Sequence, residues 1–171
     1  MIKVTSNIDT VIAQVKAKQK RIIRKRKEFL ERLGEEGISL ANVKIQQVQY
    51  DGYNDAFVEP LTWEGDKLIL AVSGQNITFI EFGSGVHYSA QHPMATEMGM
   101  IRGEFGRGQG KRDVWYYQGH PGTHGEIRKV TKGGRTKIRT HGNPPNRIVY
   151  DTAQTLRERI TQIAREVYSN D

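Results

Sequence analysis

The sequence lacks cysteine altogether and has few apolar residues. The absence of cysteine from 171 residues excludes disulfide bonds and thiolate metal sites. No apolar stretch approaches the ~20 residues that a membrane span needs, and the amino terminus lacks a signal peptide's apolar core. The hydrophobic share of 36% is low for a globule, so part of the chain should lie outside any core. These absences predict a soluble protein made in the cytoplasm. The length of the chain predicts a single domain over residues 1–171.

The net charge of +7 is concentrated in two basic segments. Residues 16–32 carry nine Lys or Arg against two Glu, and residues 102–142 carry ten against three acidic residues. The rest of the chain has seven basic and fourteen acidic residues, so its net charge is −7. Two basic segments on an acidic body suit self-association, binding to a polyanion, or both.

Residues 8–33 predict one long helix, because apolar residues recur three or four positions apart and Gly34 can end it. Such a helix would span about 39 Å, so part of it must project or pack against something else. Its polar middle carries a candidate basic face formed by Lys16, Lys20, Arg24 and Lys27. Three interpretations of this face remain open: a solvated surface, a contact with an acidic neighbouring subunit, and a nucleic-acid contact.

Three short strands are predicted after this helix. Residues 43–50, 56–63 and 67–73 have strand character, and residues 64–66 form a short hairpin turn between the last two. The third strand is apolar on both faces and should be central. Residues 75–82 fit either a fourth strand or a short helix.

A second long helix closes the chain. Residues 144–168 are predicted to be helical, with Asn143 as the N-cap and an apolar stripe that should pack on the sheet or along the first helix. The predicted fold class is therefore α+β. Two long helices, N-terminal and C-terminal, pack on a small, mainly antiparallel sheet, and a long Gly/Arg-rich loop or β-hairpin arm is inserted between sheet and closing helix.

Residues 79–85 read Phe-Ile-Glu-Phe-Gly-Ser-Gly and end an apolar run in two glycines. Glycine reaches positive φ at little steric cost, so a sharp turn is expected there. The candidate turn or interface residues are Glu81, Phe82, Gly83 and Gly85. Ser84 lacks the spacing of a nucleophile elbow. Glu81 is expected to cap the following turn or to pair with a neighbouring subunit's Arg rather than to act as a base. No motif supports an enzyme.

Residues 84–142 form a long excursion that holds 12 of the 18 glycines and all five histidines. The aromatic residues at 115–117 and a hairpin pattern around Gly133-Gly134 indicate that part of it is ordered. The hairpin is basic, nearly free of core residues, and should protrude. The candidate residues of this basic arm are Arg102, Arg107, Lys111, Arg112, Arg128, Lys129, Lys132, Arg135, Lys137 and Arg139.

Other chemistry is weakly indicated in this excursion. His120 and His124 are four apart, but Pro121 and Gly122 disfavour the helix that would let them share a metal, so neither a metal nor a cofactor is predicted. Arginines interleaved with aromatic residues could neutralise phosphates and stack on bases. Nonspecific nucleic-acid binding by the basic Gly/Arg loop is therefore the alternative function.

Three stretches together resemble the tail-completion or neck proteins of tailed phages, which join head to tail. They are residues 79–85, residues 113–117 with Pro121-Gly122-Thr123 downstream, and residues 140–147, which lead into residues 163–168. Two features depart from the family's pattern. Residues 36–40 replace an Asp-Thr-Gly-plus-Leu segment that the family often has, and the basic hairpin at residues 128–139 is expected in only a subset of the family. Ser84 stands where Thr is common.

The resemblance implies a structural virion protein of the neck or tail. It implies a homo-oligomeric ring, expected to be a hexamer, around the DNA channel. The partners would be other copies of the chain, head-connector proteins and tail-terminator or tail-tube proteins, with nonspecific contact to the passing DNA and no membrane.

Overall fold

The computed structural model describes residues 7–88, 91–101, 109–118, 126–130 and 136–169. Its helices and strands confirm the predicted α+β fold, with a long helix at each end and small antiparallel sheets between them. In chain order they are α1 (Ile8–Gln46), β1 (Phe57–Val58), β2 (Thr62–Glu64), β3 (Lys67–Ile69), β4 (Val72–Ser73), α2 (Ile77–Phe82), a 3-10 turn (Gln109–Lys111), β5 (Trp115–Gln118), β6 (Glu126–Val130), β7 (Thr136–Thr140) and α3 (Ile148–Ser169).

The first helix is longer than the sequence predicts, because it continues through Gly34 and Gly37 to Gln46. A Cβ atom on Gly34 would lie 2.8 Å from Leu61 Cδ1, and one on Gly37 would lie 2.7 Å from Leu70 Cδ2. These leucines pack directly on the helix backbone, so the glycines allow close packing instead of ending the helix. The predictions of a helix end at Gly34 and of a strand over residues 43–50 are wrong.

The predicted hairpin turn at residues 64–66 is confirmed, because β2 pairs antiparallel with β3 and Glu64 lies opposite Lys67. The predicted strands on either side are each divided in two, since β1 pairs with β4 beyond a break. Pro60 has no N–H to donate to the ladder, so regular pairing stops beside it. The prediction of one central strand over residues 67–73 is therefore wrong. Residues 77–82 form α2, which decides between strand and helix for that segment.

The excursion is partly ordered, as predicted. β7 lies between β5 and β6 in a three-stranded antiparallel sheet, which confirms the predicted pairing of residues 126–130 with residues 136–140. Gly133 and Gly134 lie outside the described residues. The expectation that this hairpin is nearly free of core residues is wrong for Ile138, which is fully buried.

The two long helices pack antiparallel. Near one end of the contact, Lys25 Nζ donates to the carbonyl oxygen of Val167 at 2.8 Å. Near the other end, Lys44 Nζ donates to Asp151 Oδ2 at 3.2 Å. The hydrophobic core lies beside this second end, where buried side chains of α1, α2 and α3 meet: Ala41, Ile80 and Ile148.

The last helix begins at Ile148, so the predicted start at residue 144 and the predicted N-cap at Asn143 are wrong. Pro144 and Pro145 precede the helix, and Arg147 turns the chain with φ 50°. The predicted apolar stripe packs only in part. Val167 is buried, whereas Val149 and Ile160 are 47% and 42% exposed. No helix in the described part of the chain is both long enough and apolar enough to cross a membrane.

Candidate functional site

The stretches that carry the resemblance meet in space. The backbones of residues 80–85 and 140–147 are joined by hydrogen bonds, and we call this paired region the clasp. Ser84 N donates to Asn143 O at 2.8 Å, and Asn143 N donates back to Ser84 O at 3.1 Å. Further along, Asn146 N donates to Ile80 O at 2.9 Å, and Arg147 N donates to Glu81 O at 3.2 Å. Two segments about 60 residues apart in sequence therefore form one unit, and the ends of the excursion are fastened together.

Glycine is required at two positions of the clasp. Gly83 has φ 77° and ψ −177°, a region that is essentially open to glycine alone, and its Cβ would lie 2.7 Å from Asn143 O. Gly142 has φ 101°, and a Cβ there would overlap the carbonyl oxygen of Ser84. The sharp positive-φ turn predicted after Phe82 is thus present. Its physical purpose is the close approach of the second segment.

The third stretch joins the clasp through Trp115. The Trp115 ring lies against Gly85, where an added Cβ would be 3.0 Å from Cη2 of the indole. Trp115 is also the first residue of β5, which pairs with β7 at Thr140, inside the clasp. The sheet of the excursion is therefore attached directly to the clasp.

The interior of the clasp is polar and well bonded. Asp51 is buried, and its Oδ2 accepts the hydroxyl of Thr140 at 2.7 Å while its backbone N–H donates to Asn143 Oδ1 at 2.5 Å. The Thr140 hydroxyl in turn accepts from Gly142 N at 3.0 Å. Buried polar groups that are bonded in this way specify one arrangement of the segments that carry them.

The buried carboxylate also affects two tyrosines nearby. Burial raises the pKa of Tyr50 to about 12, and the negative charges of Asp55 and Asp51 add to this effect. Burial, followed by the charge of Asp51, raises the pKa of Tyr117 well above its ordinary value. Both phenols are therefore held in the neutral form over the physiological pH range.

Glu81 is buried and accepts hydrogen bonds from the start of α3. Its Oε2 accepts Val149 N at 2.9 Å, and its Oε1 accepts Tyr150 N at 3.0 Å. A carboxylate at this position satisfies N–H groups that have no partner within the helix, and it interacts favourably with the positive end of the helix dipole. Glu81 therefore caps a helix far along the chain, not the turn that follows it.

His92 completes the surroundings of Glu81. Its Nδ1 accepts Met94 N at 3.1 Å, so the ring hydrogen is on Nε2, which lies 3.3 Å from Glu81 Oε1 and donates to it. The ring packs between Phe82 and Tyr150, with centroid distances of 4.4 Å and 5.4 Å. Three donors are directed at this buried carboxylate. The geometry therefore favours a structural role for Glu81, capping of α3, over a role as general base.

An apolar cleft of about 370 Å³ opens beside this pair. Besides His92, it is lined by Phe82, Met94, Met98 and Val149. Met98 is 54% exposed at its rim. The cleft is thus a shallow apolar surface that is open to solvent.

The first part of α1 is exposed to solvent, and near its end Ile22 and Ile23 line clefts with Tyr168 and Trp63 of the body. Every residue from 8 to 24 is exposed, and Lys25 is the first buried residue of the helix. We call residues 8–24 the projecting helix. Its exposed large apolar side chains, all between 45% and 62% accessible, are Ile8, Val11, Ile12, Val15, Ile22 and Ile23. The sequence-based expectation that part of the first helix projects is met here.

The candidate basic face lies mostly on the projecting helix. Lys16, Lys20 and Arg24 are exposed, and within the described residues they have no carboxylate partner. Lys27 lies beyond the projecting helix and pairs with Glu31 at 3.6 Å. Within the part of the chain that the structure describes, three of the four candidate charges therefore lack a carboxylate partner.

The candidate basic arm is only partly described. Lys111, Arg112 and Lys137 are exposed, and Arg139 is half-buried. Two further residues lie in β6, namely Arg128 and Lys129. The remaining candidates lie outside the described residues: Arg102, Arg107, Lys132 and Arg135.

A cluster of potential metal ligands was not anticipated from the sequence. His87, Asp113 and His141 each offer one ligand atom, and these atoms all lie within 4.8 Å of one another. His120 and His124, the two histidines whose spacing disfavours a shared metal, lie outside the described residues. No local signal could have found the cluster, because Asp113 is 26 residues from His87 and 28 from His141.

Comparison with protein-family models, with curated proteins and with solved structures finds no match.

Proposed function

We propose that this chain is a structural virion protein of a tailed phage, which joins the head connector to the tail as a homo-oligomeric ring. The observation that carries the proposal is the projecting helix, which exposes six large apolar side chains. Contiguous exposed apolar surface usually marks a protein contact.

A second copy of the chain is the partner that best fits the charges. The projecting helix carries five Lys or Arg against Asp9 alone, a net charge of +4. Outside its two basic segments the chain has a net charge of −7. A basic extension that docks on an acidic neighbour is a head-to-tail contact, and repetition of such a contact around an axis closes a ring.

The apolar cleft is the surface proposed to receive the neighbour's apolar stripe. It lies on the body, away from the residues of the projecting helix, and Met98 and Val149 expose apolar atoms at its edge. Two different apolar surfaces on one chain are what a head-to-tail contact requires. In the ring, the basic face and the exposed Lys111, Arg112 and Lys137 are available to face DNA in the channel.

The deciding experiment measures mass in solution for the full chain and three variants. Wild type should form a closed oligomer in native mass spectrometry and light scattering. Ile12→Gln/Val15→Gln/Ile22→Gln should be monomeric, and Met98→Lys should weaken assembly. The comparison variant Lys16→Gln/Lys20→Gln/Arg24→Gln removes charge from the same helix but keeps its apolar side chains, so it should weaken assembly less than the apolar-stripe variant does. A wild-type protein that stays monomeric at every concentration, alone and with connector proteins, would contradict the proposal.

Nonspecific nucleic-acid binding is the second candidate, and the exposed charges of Lys16, Lys20 and Arg24 favour it. A binder of this kind should lose affinity with salt, by about 0.9 decades per decade of salt for each phosphate neutralised. The basic-face variant should then lower DNA affinity while the apolar-stripe variant retains it. No binding to duplex or single-stranded DNA at low salt would eliminate this candidate.

A further inference from the structure

Three side chains from three separate segments converge at the outer edge of the clasp. His87 follows the Gly85 turn, Asp113 precedes β5, and His141 follows β7 directly. His87 Nε2 lies 2.5 Å from Asp113 Oδ1, and the rings of His87 and His141 have centroids 6.2 Å apart. All three residues are exposed, so an ion could reach them from solvent.

We propose that His87, Asp113 and His141 form a binding site for a divalent transition-metal ion, with Zn²⁺ as the ion that fits best. Two imidazoles and one carboxylate form a ligand set that zinc accepts, and imidazole also suits cobalt and nickel. Magnesium and calcium prefer oxygen ligands and are poorly matched to two histidines. Three protein ligands leave a fourth tetrahedral position open to water.

The distances are compatible with this set after small side-chain movements. Metal–ligand bonds of 2.0–2.2 Å in a tetrahedron place ligand atoms about 3.4 Å apart. His87 Nε2 and Asp113 Oδ1 are 2.5 Å apart and must separate by about 1 Å, and the other pairs, all within 4.8 Å, must approach by at most about 1.4 Å. Rotation of exposed side chains supplies such changes at little cost. The ion would replace the hydrogen that His87 and Asp113 now share.

The backbone beneath the cluster is well held, which favours a pre-formed site. Gly142, the neighbour of His141, is fixed by its close approach to Ser84 and by its hydrogen bond to Thr140. Asp113 lies two residues before Trp115, whose ring packs on Gly85. A bound ion would therefore connect the turn after the clasp, the start of β5 and the end of β7, and would tie the sheet of the excursion more firmly to the body.

The test is calorimetric titration of the untagged full chain with ZnCl₂ and CoCl₂, with MgCl₂ as the comparison ion. Wild type should bind one equivalent of Zn²⁺ or Co²⁺ and no Mg²⁺. His87→Ala, His141→Ala and Asp113→Asn should each weaken binding by more than about tenfold, since even residues that only support ligands are worth 10- to 100-fold. The control His124→Ala removes a histidine of the same excursion and should bind like wild type.

Thermal unfolding gives a second readout that does not depend on heat of binding. Zn²⁺ in excess should raise the Tm of wild type and of His124→Ala, because an ion that binds only the folded state stabilises it by mass action. The Tm of His87→Ala should not respond. Asp113→Asn keeps the side-chain shape and the ability to hydrogen-bond His87, so it separates a metal ligand from a simple hydrogen bond. No zinc binding, or binding unchanged in His87→Ala and His141→Ala, would overturn the proposal.

Discussion

Glu81→Gln is the substitution that tests the clasp most directly. The carboxylate accepts Val149 N at 2.9 Å, Tyr150 N at 3.0 Å and His92 Nε2 at 3.3 Å. A glutamine has nearly the same shape, but one of its two terminal groups is an NH₂ that cannot accept. If the NH₂ occupies the Oε2 position, it faces the Val149 N–H, and if it occupies the Oε1 position it faces two donors. At least one donor is therefore left unpaired in a buried site.

The expected loss of stability follows from these contacts. A hydrogen bond to a charged group contributes about 1.5–3 kcal/mol, and a carboxylate at a helix N-terminus contributes about 0.3–1 kcal/mol through the dipole. We expect Glu81→Gln to lower the free energy of unfolding by about 2–3 kcal/mol. Glu81→Ala should cost about 3–5 kcal/mol, because it removes all three acceptor contacts at once.

Urea denaturation followed by circular dichroism measures this loss, provided that the slope m is unchanged. Glu158→Gln is the matched control, because Glu158 is exposed on α3, the helix that Glu81 caps, and should shift stability by less than about 0.5 kcal/mol. Amide exchange at Val149 and Tyr150 should also accelerate in Glu81→Gln. If Glu81→Gln were as stable as Glu158→Gln, the reasoning about a distant helix cap would be refuted.

Three further predictions concern single residues. Gly83→Ala should lower the free energy of unfolding by about 3 kcal/mol, from backbone strain of about 1–3 kcal/mol and from the clash with Asn143 O. Gly65→Ala should lower it by only about 1 kcal/mol, because Gly65 has φ 61° but open space around it. Equal losses in urea denaturation would contradict the close approach. Gly34→Ala should destabilise by about 1 kcal/mol, because overpacking against Leu61 outweighs the helix propensity that alanine adds, and a more stable variant would count against this packing. Because the pKa of Tyr50 is raised to about 12, its contribution to the free energy of unfolding is fully present below pH 10 and is lost as pH rises toward 12. The loss is at most about 1.4 kcal/mol per pH unit. Tyr50→Phe should flatten this part of the stability–pH curve, and an unchanged slope would contradict the assignment.

Features encoded by neighbouring residues could be predicted from the sequence. The turn at Gly65, the sharp turn at Gly83 and the pairing of residues 126–130 with residues 136–140 all depend on glycine conformation and on alternation within a few residues. The closing helix was found for the same reason, since its period of 3.6 residues is a local pattern. Its start was misplaced because its cap comes from elsewhere.

The length of the first helix could not be predicted, because the role of a glycine depends on what packs against it. Gly34 looks like a helix end in the sequence, and Gly37 follows three residues later. In the structure they are the points where Leu61 and Leu70 contact the helix backbone. No residue near these glycines in the sequence indicates that the two leucines will pack against the helix.

The candidate site could be predicted only in part from the sequence, for a related reason. Residues 79–85 and 140–147 are both conspicuous in the sequence, but their pairing is not encoded locally, since the bonds between Glu81 and α3 span 68 and 69 residues. The His87, Asp113 and His141 cluster has equally distant members. Contacts of this kind follow from the tertiary fold, and local patterns do not encode them.

The fastening of Ser84 to Asn143 has a consequence for how this protein can vary. The 58 residues between them leave and re-enter the body at adjacent points, so their number is largely independent of everything outside them. Doubling the length of a closed flexible segment costs only about 0.6 kcal/mol of extra chain entropy. Insertions, deletions or a grafted reporter domain between β5 and β7 in the sequence should therefore be tolerated while the two long helices keep their packing.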